Sequence, residues 1–117
     1  MANYAKTNIG NEGRVELHEK LSLTGAEISV NQLPAGASVP FVHSHKNNEE
    51  IYGILGREKE KLSSTRDHRA HTGDWLRISP VAKRQFFASQ ESGITYVCIQ
   101  VKENSLGGFT ADDAVLY

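Results

Sequence analysis

Short runs of β-branched and aromatic residues, separated by turn residues, recur along this chain and restrict its fold more than any other feature. The runs are Val15–Leu17, Ala26–Leu33, Val39–His45, Ile51–Leu55, Trp75–Ile78, Phe86–Phe87 and Ile94–Val101. Turn-forming pairs such as Thr24-Gly25 and Ser92-Gly93 lie between them. Many short strands with little helical periodicity predict an all-β sandwich or barrel. Only Thr110–Val115 has the pattern of a helical turn.

Length and charge limit the classes of function. A chain of 117 residues predicts a single domain over residues 1–117 with one core. The net charge of -1 provides no basic surface, so nucleic acid is not expected as a partner. No apolar run approaches the roughly 20 residues that span a bilayer, and the N-terminus lacks a signal-like apolar stretch. We therefore expect a cytoplasmic protein without membrane contact. Cys98, the only cysteine, lies in an apolar run and is predicted to be a buried, unreactive thiol.

The segment Arg57–His71 breaks the pattern of apolar runs. It contains eight Lys, Arg, Asp or Glu residues around one leucine. Such a segment has too few apolar residues to define a buried face, so it predicts an exposed hairpin or a mobile loop. His68 and His71 are interpreted as solvated side chains rather than a chelating pair.

The strongest chemical signal is the pair His43-x-His45. Side chains alternate across a strand, so both imidazoles share a face with Val39 and Phe41, and all four are predicted to point inward. Buried imidazoles need polar partners. A carboxylate from the following strand would act as a hydrogen-bond partner, or it would complete a metal triad. The residues alone leave both readings open.

Two stretches resemble the sequence motifs of the cupins. Gly36, His43-Ser44-His45, Glu49-Glu50 and Gly56 resemble the first motif, and Gly73–Pro80 resembles the opening of the second. The resemblance covers about Leu21 to Val101. It implies a double-stranded β-helix, or jelly-roll barrel, with a site in its mouth. It also implies a divalent ion (Fe, Mn, Ni or Zn) held by the two histidines and a glutamate.

The identity of the glutamate is ambiguous in the motif. Counting back from Gly56 selects Glu49, whereas strand alternation places Glu50 on the same face as Tyr52 and Ile54. We favour Glu50, because the carboxylate in related small cupins directly precedes an aliphatic-tyrosine pair like Ile51-Tyr52. The predicted metal ligands are therefore His43, His45 and Glu50.

The histidine that ends the second cupin motif is missing. Alignment on Ser79 places Arg84 there, and alignment on Pro80 places Gln85 there. An arginine cannot ligate a cation, although Gln85 could offer a weak carbonyl oxygen. If Arg84 points inward, it can pair with Glu50 and give a metal-free barrel. If it points to the rim, three ligands remain for a metal. Tyr52, Arg84 and Gln85 are predicted to contact a small-molecule ligand, and no catalytic residue is assigned.

Two functions remain open at this stage. One is a metal-binding cupin, with an enzyme acting on a small polar or carbonyl-bearing metabolite as one form of it. The other is a non-catalytic small-molecule-binding or sensor cupin without a metal. We also expect a homodimer, because apolar residues lie near both ends of the chain. They include Val15, Leu17, Leu21, Val115 and Leu116, with Trp75 as a core or dimer-face aromatic.

Overall fold

An antiparallel five-stranded sheet is the main wall of the computed structural model, which describes residues 3–56, 62–65, 68–88, 91–107 and 113–117. In chain order the elements are β1 (Arg14–Glu16), α1 (Leu17–Leu21), β2 (Glu27–Leu33), β3 (Asn48–Ile54), β4 (Leu62–Thr65), β5 (His68–Ala70), β6 (Trp75–Ile78) and β7 (Ile94–Lys102). The strands of the large sheet lie in the order β1-β2-β7-β3-β6. The prediction of an all-β fold is confirmed.

Strand alternation decides which side chains form the core. In β7, Ile94, Tyr96 and Cys98 are buried, whereas the residues between them are partly exposed. Tyr52 from β3 and Phe86 from a later segment complete the centre, with their ring centroids 4.1 Å apart. The core therefore lies against the inner face of the sheet, where inward-pointing polar residues are also collected.

A second wall is built from two extended segments, 37–45 and 80–88. Their backbones are paired at separated points, including mutual hydrogen bonds between His43 and Arg84 of 2.9 and 2.8 Å and a bond from Val39 N to Phe86 O of 2.9 Å. The predicted strands Val39–His45 and Phe86–Phe87 are thus extended segments with isolated bridges rather than continuous ladders. Pro40 lacks a backbone N–H, which interrupts regular pairing.

Some local predictions were wrong. Leu17 opens the short helix α1 instead of ending a strand, and α1 ends at Ser22 in the left-handed conformation. The helical turn predicted at Thr110–Val115 falls largely on residues 110–112, outside the described part of the chain. No helix among the described residues is long and apolar enough to cross a membrane.

Two aromatic residues are more exposed than strand alternation suggested. Phe41 is 57% exposed rather than in the core. Trp75 is 59% exposed, so the core alternative for this residue was wrong, and the dimer-face alternative stays a prediction. Its ring lies across Gly53, where an added Cβ would come within 2.3 Å of a ring atom. Glycine at this position is what allows the indole to lie flat on the outer face of the sheet.

Part of the charged segment Arg57–His71 forms a hairpin. The backbones of β4 and β5 pair antiparallel, from Leu62 opposite Ala70 to Thr65 opposite His68, with an irregularity between Ser63 and Thr65. The hairpin alternative of the prediction is confirmed for these two strands. Residues 57–61 and 66–67 lie outside the described part of the chain.

Candidate functional site

The two walls meet at a cluster formed by His43, His45 and Glu50. The histidines are carried by the extended segment 37–45, and Glu50 lies in the middle of β3. His43 Nε2 and His45 Nε2 lie 3.7 and 3.2 Å from the same atom, Oε1 of Glu50. The three candidate ligand atoms all lie within 4.8 Å of one another. The structure therefore brings together the three residues predicted as metal ligands.

The two adjacent glutamates point in opposite directions. Glu50 is 2% exposed and faces the barrel interior. Glu49 faces outward, where its Oε2 lies 3.5 Å from the Arg77 guanidinium. The difference follows from the alternation of side chains along β3. Glu50 is thus the glutamate that lies beside both histidines.

Two neutral donors hold the carboxylate of Glu50. The Tyr52 hydroxyl donates to Oε1 at 2.7 Å, and the Cys98 thiol donates to Oε2 at 3.2 Å. Burial raises the pKa of Tyr52, and burial together with the charge of Glu50 raises the pKa of Cys98. Both groups therefore keep their protons and remain donors at neutral pH. Burial also raises the pKa of Tyr96, to about 12.

Arg84 adopts the inward orientation and is also in contact with Glu50. Its side chain is fully enclosed, with Nη1 3.2 Å from Glu50 Oε1. Its Nη2 donates to the backbone carbonyl of Ser79. The neighbouring Gln85 donates from Nε2 to the Val39 carbonyl at 2.9 Å. Neither residue lines the pocket that opens above the cluster.

A pocket of about 490 Å³ connects this cluster to the surface. His43, His45, Glu50 and Tyr52 contribute to its lining, together with apolar side chains such as Phe86. A separate cavity of about 580 Å³, beside Pro34 and Gly93, contains none of the cluster residues. We place the functional site in the smaller pocket, because convergent polar groups in an apolar cleft are typical of ligand sites.

The donor groups of the cluster fit a metal ion. His45 Nε2 is buried and makes no hydrogen bond within the described part of the chain, although it lies 3.2 Å from Glu50 Oε1. The distance would allow a hydrogen bond, but the angle at the ring nitrogen does not. Burial lowers the pKa of His43, although the charge of Glu50 acts against this, and the lowered pKa favours the neutral imidazole that metals bind.

The prediction from sequence missed a second polar group in the same pocket. Arg14 and Asn31 both contribute to its lining, and Arg14 Nη1 donates to Asn31 Oδ1 at 2.8 Å. Asn31 Nδ2 in turn donates to Ser29 Oγ at 3.0 Å. A usable signal was present in β2, because Ser29 and Asn31 alternate with Ile28 and Val30 and so share one face of the strand.

Comparison with solved structures identifies the family. A cupin protein from Bacteroides fragilis is 53% identical to this chain, over 100% of this chain and 99% of its own length, with a TM-score of 0.90. The chain belongs to the cupins. No protein-family model and no curated protein matches the sequence.

More distant cupin structures share only the fold with this chain. A sugar phosphate isomerase of the cupin superfamily from Silicibacter pomeroyi is 18% identical, with a TM-score of 0.62 over 77% of this cupin and 60% of its own chain. An uncharacterised double-stranded β-helix protein from Klebsiella pneumoniae is 14% identical, with a TM-score of 0.62 over 87% and 86% of the two chains. These similarities agree with the predicted jelly-roll architecture.

Proposed function

We propose that this cupin holds a divalent metal ion on His43, His45 and Glu50, at the inner end of a pocket for a small ligand. The observation that carries the proposal is the convergence of two imidazole nitrogens on one carboxylate oxygen, at 3.7 and 3.2 Å. The buried, unbonded His45 Nε2 supports it, because a bound ion would satisfy that nitrogen.

The chemistry of the donors suggests the class of metal. Two imidazole nitrogens and one carboxylate oxygen, with positions left open, suit divalent iron and also accept manganese, nickel or zinc. Such an ion would polarise an oxygen atom of a ligand in the pocket. An enzyme would use such an ion to activate the ligand for reaction, whereas a non-catalytic protein would use it only to bind the ligand.

The residues around the ligands set the orientation and charge of the site. Tyr52 and Cys98 fix the carboxylate of Glu50 by donating to its two oxygens. The positive charge of Arg84 offsets the negative charge of Glu50. The protein would then leave the charge of a divalent ion without a counter-charge. This positive charge favours an anionic ligand. Arg84 acts here through Glu50 and not through contact with the ligand.

The ion pair between Arg84 and Glu50 also favours a second candidate function. With Nη1 3.2 Å from Oε1, the guanidinium already neutralises the carboxylate without any metal. In that case the protein is a non-catalytic binding cupin, and the same pocket accepts a small molecule through its histidines and tyrosines. The presence or absence of bound metal distinguishes the two functions.

Elemental analysis of protein purified without an affinity tag or chelator tests the proposal. We expect about one ion per chain in the wild type after loading with iron, manganese, nickel or zinc, and loss of that ion in His45→Ala. His18→Ala is the matched control, because His18 is exposed on α1. A folded wild type that stays metal-free with all four metals would reject the metal proposal and leave the second candidate.

A further inference from the structure

We propose that Arg14 binds the carboxylate of a small organic acid in the pocket, with the rest of the acid directed toward the His43, His45 and Glu50 cluster. The inference deepens the proposed function and rests on it for what meets the far end of the ligand. The position of Arg14 itself depends only on the pairing of β1 with β2.

The register of the sheet places Arg14 on the inner face. Arg14 lies opposite Asn31, which lies opposite Tyr96, whereas the neighbouring Val15 lies opposite Val30 on the outer face. Arg14 and Glu50 contribute to the same pocket of about 490 Å³.

Buried polar groups fix the guanidinium in place. Its Nη1 donates to Oδ1 of Asn31, a residue that is only 4% exposed. Asn31 is held in turn by Ser29, which is 3% exposed. Two buried polar residues that orient one arginine at the edge of a pocket form a preorganised site, since the side chain need not be ordered when the ligand arrives.

The remaining donors of Arg14 match a carboxylate. The side chain of Arg14 is 54% exposed, and its Nε donates to Glu16 Oε1 at 3.2 Å. One hydrogen of Nη1 is used by Asn31, and among the described residues Nη2 has no partner, so donors remain on both terminal nitrogens. A planar carboxylate accepts two hydrogen bonds from such donors. A phosphate dianion would need further donors, and no second cationic side chain contributes to the described pocket lining.

The pocket also has apolar lining. Leu33, Val39 and Phe86 contribute to it. The apolar body of a ligand would bury its surface against these side chains. The class of ligand is therefore a small monocarboxylic acid with an apolar body and a second polar group at its far end.

Paired titrations test this assignment. 4-Hydroxybenzoate and 6-hydroxyhexanoate, each alongside its primary amide, are titrated into ¹⁵N-labelled wild-type protein and followed by the shift of the Asn31 side-chain amide. We expect both acids to bind more tightly than their amides. In Arg14→Gln, affinity for the acids should fall about tenfold, to that of the amides, because the charged hydrogen bonds are lost. Arg77→Gln should match the wild type, because Arg77 lies on the outer face.

Several outcomes would overturn the assignment: equal binding of acid and amide, no binding of either acid, or no effect of Arg14→Gln. Stronger competition by inorganic phosphate than by 4-hydroxybenzoate would overturn the choice of a carboxylate. If Arg14→Gln folds poorly, Arg14→Lys takes its place. It keeps the positive charge but lacks the paired donors, so its loss of affinity for the acids should be intermediate. A wild type that lacks metal yet prefers acids through Arg14 would reject the metal proposal alone. A metal-loaded protein without this preference would reject the anchor alone.

Discussion

The guanidinium of Arg84 lies 3.2 Å from Oε1 of Glu50, and both side chains are enclosed by the barrel. Arg84 occupies the position at which alignment on Ser79 places the histidine of the second cupin motif. Since both histidines approach the same carboxylate oxygen, Arg84 and a metal ion would share one acceptor. Glu50 is therefore the residue on which we expect both the stability of the fold and the proposed metal affinity to depend.

Glu50→Gln should destabilise the protein by about 3 kcal/mol, because it leaves a buried guanidinium without its counter-charge. Urea denaturation of metal-free protein measures this loss. Glu49→Gln is the matched control and should change the unfolding free energy by less than about 1 kcal/mol, since its partner Arg77 is exposed. Equal effects of the two substitutions would show that the buried pair does not stabilise the fold.

Arg84→His should raise the affinity for zinc, because it introduces an imidazole where the second cupin motif has its ligand. The backbone of Arg84 is hydrogen-bonded to that of His43, which directs the new side chain into the cluster. Competition with a metal-binding dye measures the change. Lys83→His, at an exposed neighbouring position, should leave the affinity unaltered. Unchanged or weaker zinc binding by Arg84→His would contradict the proposed position of the ion.

The sequence was enough to predict some parts of the site but not others. Strand alternation was sufficient to place Glu50 inside and Glu49 outside, because the period of two depends only on the local backbone. The direction of Arg84 could not be obtained in this way. It depends on the pairing of segment 80–88 with segment 37–45, which is a contact between residues far apart in the chain.

Arg14 and Leu17 show the same limitation at the N-terminal end. Arg14 is one charged residue in a polar stretch, and only the register of β1 against β2 brings it over the pocket. Leu17 continues an alternating pattern in the sequence, yet the chain turns into α1 at this residue. Edge strands have few neighbours, so their ends depend on tertiary packing more than on local preference.

Alkaline pH should lower the stability of the fold. In the unfolded chain the Cys98 thiol ionises near its ordinary pKa of 9.0 and the tyrosines near 10.0, whereas burial raises all three pKa values in the folded protein. Once these groups have lost their protons in the unfolded chain, folding requires them to take the protons up again, and folding becomes less favourable. The unfolding free energy should therefore fall above about pH 9. Urea unfolding between about pH 8 and pH 10.5 measures this.

A Cys98→Ala variant isolates the contribution of the thiol to that pH dependence. Its unfolding free energy should fall less steeply than that of the wild type between about pH 9 and pH 10, where the wild-type thiol ionises in the unfolded chain but not in the folded protein. Identical pH profiles for the two proteins would mean that the native thiol ionises as readily as the unfolded one. That result would contradict its position as a neutral donor to Glu50.

The outer face of the large sheet predicts a homodimer. Partly exposed apolar side chains lie side by side on this face: Ile28, Ile51, Val97 and Ile99. Such a surface is expected to be covered in solution by a second copy. Light scattering at micromolar concentration should give about twice the chain mass of 12.9 kDa. Val97→Glu should give a monomer, and Val81→Glu on an exposed loop should not; a monomeric wild type would refute the dimer.

Anomalous X-ray diffraction from crystals of wild-type protein saturated with zinc or manganese would locate the ion itself. We expect one strong peak about 2.0–2.2 Å from His43 Nε2, His45 Nε2 and a Glu50 oxygen. The absence of a peak there under saturating metal, with Arg84 still against Glu50, would contradict the metal proposal.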